Sequence, residues 1–283
     1  MDTGTFNSFD VEVRDRGIAV IMFNQPERMN GMNPSMKRDL VETLTQAQMD
    51  DDVRVVAFTG TGRAFSAGDD LTGGYASGAG DGMVGHISHG HHNPYGTYNG
   101  LRTISQAVNV AIRNLDKLSI AAVGGYAIQT GFSLALSCDF RIASTDAKLG
   151  SATLRFGLLP DEGGQYLLVQ HLGVAKTMDF LMRKRIVSGE EALEMGLVHE
   201  LCAPEELDDR MMALAVELAE GPQVSMRMLK RSIYNAYEMS WEQSLDEIAA
   251  KTAFTDWHAD AQDGGKSFVE KRDPVFNRWL ERD

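Results

Sequence analysis

Cysteine, proline and basic residues are scarce in this sequence. Its 283 residues include 2 cysteines and 7 prolines. Two cysteines cannot form the disulfide framework of a small secreted domain, so Cys138 and Cys202, both in apolar surroundings, are expected to be buried thiols. No apolar run approaches the ~20 residues of a membrane span, and residues 1–10 lack the features of a signal peptide. A reducing compartment, the cytoplasm, is the expected location.

Positive charge is also limited. The chain has 27 Lys and Arg against 40 Asp and Glu, a net charge of −13. Binding to nucleic acid or to an anionic membrane favours a basic protein surface, so neither is expected as a partner. A polyanionic small ligand would still need a local basic patch. The apolar fraction of 43% and the length suit one large folded domain, or a domain with an appendage.

The chain changes character near residue 204. Before it, short strands alternate with helices, beginning with a hairpin over residues 11–23 and a helix capped by Asn33. After it, only helical patterns follow: 205–220, 223–238, and 240–261. We therefore predict two regions, 1–203 and 204–283. The basic residues at 227, 230 and 231 are predicted to form a solvated helix face.

The stretch from Gly124 to Gly164 contains the strongest signals of a site. A buried strand, residues 120–123, ends in two glycines, and a short apolar helix with Gly131 at its start follows. Its free N–H groups suit an anion or a developing oxyanion. A second turn of small residues, 64–71, follows another buried strand. Two converging amides would form an oxyanion hole, in which each donor is worth ~3 kcal/mol of barrier.

Seven segments, in order, resemble the crotonase (enoyl-CoA hydratase/isomerase) superfamily, and the resemblance covers about residues 10–277. The segments are Asn24 to Asn33, Phe65 to Leu71, Gly125 to Ala127, Cys138 to Ala143, Gly157 to Gly164, Ala192 to Val198 and Phe268 to Arg272.

This resemblance implies an α/β fold with a ββα spiral core and C-terminal helices that build a trimer or a dimer of trimers. It implies an acyl-CoA thioester as substrate, with coenzyme A as part of the substrate, no permanently bound cofactor and no metal. The oxyanion amides map onto Ala67 and Thr130. Further predicted coenzyme A or substrate contacts are Arg28, Gly31, Gly68, Asp69, Leu71, Gly131, Phe268 and Lys271. The last two are expected to reach a neighbouring subunit's ligand.

The departures from the family pattern concern the reaction type. Hydratases of the family use two glutamates, and the matching positions here are Ser133 and Thr153. Neither hydroxyl is a general base near pH 7 without an activating partner, so simple hydration is disfavoured. Thr130 also replaces a glycine, which narrows the site.

Asp161 is the carboxylate best placed to act. Its segment is similar to the one that carries the catalytic aspartate of phenylacetate-pathway ring isomerases and dienoyl-CoA isomerases, and Glu162 is a weaker substitute. The competing interpretation is a helix N-cap, worth ~1 kcal/mol. We therefore expect an isomerase that moves a double bond or rearranges an unsaturated acyl-CoA. The alternatives are a C–C hydrolase or ring-forming synthase on a cyclic acyl-CoA, a hydratase, or a catalytically silent acyl-CoA-binding protein.

Residues 71–100 are rich in glycine and histidine and lack apolar periodicity. We expect a loop that covers the acyl pocket, with Tyr95 and Tyr98 against the substrate. His86, His89, His91 and His92 suggest metal binding, but no regular element sets their spacing, so a metal site is disfavoured.

Overall fold

The computed structural model describes residues 1–70 and 93–280 of the chain. The described part is an α/β structure with two sheets and a helical C-terminal end, as predicted. The strands are β1 (Gly4–Thr5), β2 (Phe9–Arg14), β3 (Ile18–Phe23), β4 (Val55–Gly60), β5 (Ala64–Ser66), β6 (Leu118–Val123), β7 (Tyr126–Ile128), β8 (Phe140–Ser144), β9 (Lys148–Gly150), β10 (Ile186–Ser188) and β11 (Glu200–Cys202).

The α-helices follow the strands in chain order. They are α1 (Pro34–Met49), α2 (Pro94–Gly100), α3 (Gln106–Asn114), α4 (Thr130–Ser137), α5 (Gly164–Met182), α6 (Gly189–Met195), α7 (Leu207–Glu220), α8 (Gln223–Asn235), α9 (Trp241–Asp256) and α10 (Ala259–Glu270). A π-helical turn, Leu101–Ser105, joins α2 to α3.

The larger sheet has the strand order β1-β2-β3-β4-β6-β8-β11, and the smaller one β10-β9-β7-β5. Strands β3, β4, β6, β8 and β11 run parallel, as do β5, β7 and β9. Strands β4, β6 and β8 of the larger sheet are each followed by a strand of the smaller one. Parallel strands require crossovers, and helices supply most of them here. Because β5 and β7 pair in parallel, their carboxyl ends lie side by side.

Local sequence signals predicted the N-terminal elements correctly. Strands β2 and β3 form the expected antiparallel hairpin, with a turn at Asp15–Gly17. Asn33 caps α1, because its side-chain oxygen accepts a hydrogen bond from the Met36 N–H at 2.8 Å. These signals lie within a few residues of the structure they produce.

Two helix boundaries differ from the prediction. Residues 94–100 form α2 inside the predicted loop. The expected helix 240–261 is two helices, because the chain leaves α9 at Trp257 and the side chain of His258 caps α10. Within α5, two helical segments meet at a kink at Gly173, whose φ is +73°.

Two apolar cores lie on either side of the larger sheet. One contains Phe23, Phe58, Phe65 and Phe132. The other lies under α7, which contributes Met211 and Ala215. The first long helix after residue 204 therefore packs on the sheet itself, and the division into 1–203 and 204–283 stays a prediction. Cys138 and Cys202 are both buried free thiols, as predicted.

The predicted solvated face of α8 is wrong at Lys230. Its side chain is 3% exposed, and its Nζ lies 2.8 Å from Asp139 Oδ2. The Lys230 ammonium also donates to the carbonyl oxygen of Lys117 at 2.9 Å. Apolar periodicity could not reveal this contact, because Asp139 lies 91 positions away in the chain.

Candidate active site

Two turns meet where β5 and β7 end. The strands pair in parallel, with Ser66 beside Ala127. Gly131 lies so close to β5 that an added Cβ would be 2.3 Å from the Ser66 carbonyl oxygen. Gly68 has φ +104°, a backbone conformation that favours glycine, and packs against the backbone at Ile128. The predicted convergence of the two glycine-containing turns is therefore present.

The two predicted oxyanion amides, those of Ala67 and Thr130, differ in their hydrogen bonding. The Ala67 N–H donates to the Met29 carbonyl oxygen at 2.9 Å, so the assignment of this amide as a donor to substrate is corrected. Thr130 is the first residue of α4, and a first-turn N–H has no acceptor within its own helix. Two residues after Ala67, Asp69 forms a parallel bridge with Met32. In such a bridge, the Asp69 N–H faces away from Met32.

Asp161 and Glu162 lie in the turn before α5. The N-cap of α5 is Gly163, and no side chain caps this helix, so the N-cap interpretation of Asp161 is wrong. Helix α3 holds the turn instead. Gln106 Nε2 donates to the Asp161 carbonyl oxygen and Asn109 Nδ2 to that of Glu162, both at 2.8 Å. Gln106 and Asn109 are three residues apart and so share one helix face, a signal that the sequence analysis did not use.

A chain of polar contacts joins this turn to the start of α4. Thr130 Oγ1 lies 2.8 Å from Glu162 Oε1 and 2.7 Å from Asp69 Oδ1. Lys37 Nζ, from α1, is 2.7 Å from the same Asp69 oxygen. Gln129 Nε2 donates to Glu162 Oε2 at 2.9 Å. Sequence reasoning missed Lys37 because it lies on the apolar face of α1, where it is 1% exposed.

Glu162 is a buried carboxyl group at the centre of these contacts. Burial raises the pKa of Glu162 to about 7; the Lys37 ammonium and the hydrogen bond with Thr130 oppose this, and the charges of Asp69 and Asp161 add to it. Its exposed fraction is 3%, whereas Asp161 is half-buried. From the sequence alone, Glu162 is a weaker substitute for Asp161. In the structure, Glu162 contacts both Thr130 and Gln129 in the site.

Comparison with known proteins agrees with this geometry. The family model described as enoyl-CoA hydratase/isomerase matches residues 13–279. The chain belongs to the enoyl-CoA hydratase/isomerase family. It is 32% identical to the 1,2-epoxyphenylacetyl-CoA isomerase of Escherichia coli over 93% of this chain and 95% of that one. It is 31% identical to a probable enoyl-CoA hydratase of Rhodobacter capsulatus over 92% and 94% of the two chains.

The solved structures give the same result. The crystal structure of enoyl-CoA hydratase from Bacillus anthracis matches with a TM-score of 0.85 and 25% identity, covering 95% of this chain and 99% of that one. The crotonase fold predicted from the motifs is therefore confirmed.

The two positions that carry glutamates in hydratases of this family hold packed hydroxyls here. Ser133 is 2% exposed, and a Cβ added at Gly164 would lie 2.5 Å from its Oγ. Thr153 Oγ1 lies 3.2 Å from Ser151 Oγ, which donates to Gln129 Oε1. Neither hydroxyl is paired with a carboxylate or imidazole that would activate it in these contacts.

The residues predicted to contact coenzyme A occupy two separate places. Arg28, with its Nη1 2.7 Å from Asp70 Oδ2, lies beside Gly31 and the turn after β5. Phe268 and Lys271 are at the far end of α10, where the Phe268 side chain is 87% exposed. Leu71 lies outside the described residues.

The remaining predictions concern the segment before α3. Tyr95 and Tyr98 are both exposed on α2. Within residues 1–70 and 93–280, no cluster of three or more His, Cys, Asp or Glu side chains could hold a metal ion. The histidines of residues 86–92 lie outside that part. Among the described helices, none has the length and apolar character needed to cross a membrane.

Proposed function

We propose that this family member is an acyl-CoA isomerase, which moves a double bond or rearranges an unsaturated acyl-CoA through an enolate, with Asp161 as the base. The observation that carries the proposal is the Asp161–Glu162 turn beside the start of α4, in a site with hydroxyls at residues 133 and 153. A single carboxylate can remove a proton from one carbon and return it to another. The similarity to the E. coli isomerase supports the same class.

The oxyanion of the enolate would be held by main-chain amides. Thr130 provides the first, because it opens α4. Asp69 replaces Ala67 as the second donor in this proposal, since the Ala67 amide donates to Met29. Lys37 holds the Asp69 side chain, and Gly68 and Gly131 let the two backbones approach each other.

Asp161 suits the role of base because it is half-buried and its backbone is held by Gln106. No cofactor is needed for this chemistry, since coenzyme A enters as part of the thioester. Arg28 and Gly31 are the proposed contacts of its adenosine end, and Asp70 orients the Arg28 guanidinium.

Isotope exchange tests the proposed reaction. We expect that incubation in deuterated water with enoyl-, dienoyl- and cyclic unsaturated acyl-CoA thioesters yields an isomer labelled at the α- or γ-carbon, because the base exchanges its proton with solvent. Mass spectrometry measures the label. A product heavier by one water would instead identify a hydratase, the activity named for several relatives. Cleavage or closure of a ring would identify a hydrolase or synthase, and binding without exchange a silent acyl-CoA-binding protein.

We also propose that the C-terminal helices join copies of this chain in a trimer or a dimer of trimers. Helices α9 and α10 and the turn between them leave large apolar side chains exposed, among them Trp241 (72%), Trp257 (83%) and Phe268 (87%). Apolar patches of this kind mark protein interfaces. Phe268 and Lys271 would then reach the ligand of a neighbouring copy.

Sedimentation equilibrium tests this assembly. We expect the mass of three or six chains for the wild type and a lower mass for Trp257→Glu, because a charge at an apolar interface is costly to bury. Glu217→Gln, on an exposed site of α7, is the control and should keep the wild-type mass. A monomeric wild-type protein would contradict the proposal.

A further inference from the structure

A single hydroxyl lies between two carboxyl groups in this site. Thr130 Oγ1 is 2.7 Å from Asp69 Oδ1 and 2.8 Å from Glu162 Oε1. A hydroxyl carries one proton, and an ionised carboxylate can only accept. Thr130 therefore donates to one carboxylate and accepts from the other group. That second group must carry a proton of its own.

The surrounding charges decide which group carries it. Lys37 Nζ lies 2.7 Å from Asp69 Oδ1, so a positive charge faces the Asp69 carboxylate directly. In the part of the chain that the structure describes, the second oxygen of Glu162 accepts a hydrogen bond from the neutral amide of Gln129. Glu162 is also buried, with 3% of its surface exposed. An ionised Glu162 would have little hydration and would face two aspartates, so the proton belongs to Glu162.

We propose that Glu162 is a positioning residue that holds a proton and thereby keeps a second negative charge, besides that of Asp69, away from the first turn of α4 while the oxyanion forms. This inference rests on the proposed function and adds a second carboxyl group with a role distinct from that of Asp161. In its protonated form Glu162 donates to Thr130 Oγ1, and Thr130 donates to Asp69. Each of the two Thr130 contacts then has one donor and one acceptor.

Loss of this proton has a defined consequence. The charged groups that face Glu162 are Lys37 from α1, Asp69 after β5 and Asp161 in its own turn. Once Glu162 ionises, the single hydroxyl proton of Thr130 is shared between two carboxylates, and a second negative charge lies beside residue 130. The negative charge of Glu162 would then destabilise the oxyanion that forms there, because like charges repel strongly in a site of low dielectric constant. Turnover should fall as Glu162 loses its proton near pH 7.

The pH dependence of kcat/KM tests this role. For the wild type we expect kcat/KM to fall by about tenfold per pH unit above pH 7. Glu162→Gln keeps a donor and cannot ionise, so the ratio of kcat/KM at about pH 6 to that at about pH 8.5 should drop at least fivefold relative to wild type. Glu217→Gln, the same substitution at an exposed position, should keep the wild-type ratio. Parallel profiles for wild type and Glu162→Gln would overturn the inference.

A second measurement does not depend on turnover. Infrared spectra recorded across the pH range should show the carbonyl stretch of a protonated carboxyl group that disappears near pH 7 and is absent from Glu162→Gln. Absence of this band from the wild type at about pH 6 would overturn the inference even if isomerisation is observed. Conversely, the band can be present in a protein that isomerises no tested thioester, in which case only the proposed function fails.

Discussion

Replacing Asp161 with asparagine should lower kcat by about 10²–10⁴-fold, because an amide cannot accept the substrate proton. Folding should be almost unaffected. Asp161 does not cap α5, whose N-cap is Gly163, and the contact that holds residue 161 is made by its backbone oxygen with Gln106. We expect the thermal unfolding midpoint to stay within about 2 °C of wild type. Turnover assays and calorimetry on the same preparation measure both quantities.

The control for this substitution is Asp146→Asn, the same chemical change in an exposed turn. It should leave both kcat and the unfolding midpoint unchanged. Two results would contradict the assignment of Asp161. Full activity in Asp161→Asn would mean that another group is the base, and an equal loss of stability and activity would indicate a structural role.

Replacing Asp139 with alanine should lower the free energy of unfolding by about 3–5 kcal/mol, because it leaves a buried ammonium without its partner. Asp139 Oδ2 lies 2.8 Å from Lys230 Nζ and accepts from the Ser119 N–H at 2.7 Å. The hydroxyl of Tyr234 also donates to this carboxylate. The contact joins α8 to the larger sheet, so its loss should loosen the C-terminal helices. Urea denaturation measures the change.

The stability loss of Asp139→Ala should also depend on pH, through the pKa of Lys230. Burial lowers the pKa of Lys230, and Asp139 opposes that shift. Without Asp139 the folded-state pKa of Lys230 falls further below its unfolded value, so the unfolded state binds more protons between the two values. Stability then rises with pH in that window, and the deficit of Asp139→Ala should shrink as the solution becomes alkaline.

The double variant Asp139→Ala with Lys230→Met serves as the control. It removes both charges, so it should recover a large part of the loss seen in Asp139→Ala alone. If the double variant is as unstable as the single one, or if Asp139→Ala costs less than about 1 kcal/mol, the ion pair does not have the proposed role.

The sequence by itself determined the elements that depend on neighbouring residues, and through its motifs the family. The hairpin β2–β3, the Asn33 cap of α1 and the glycine turns near residues 68 and 131 were predictable from short segments. The hydroxyls at residues 133 and 153 were readable in the same way. Local rules were weaker at helix ends, where the break between α9 and α10 was missed.

Only the tertiary structure decided the roles of individual polar groups. Glu162 meets Thr130 across 32 residues of chain, and Asp139 meets Lys230 across 91. In the folded chain the Ala67 N–H donates to the Met29 carbonyl oxygen, and Gly163 rather than Asp161 is the N-cap of α5. The physical reason is that protonation and hydrogen bonding depend on burial and on nearby charges, which distant segments supply once the chain has folded.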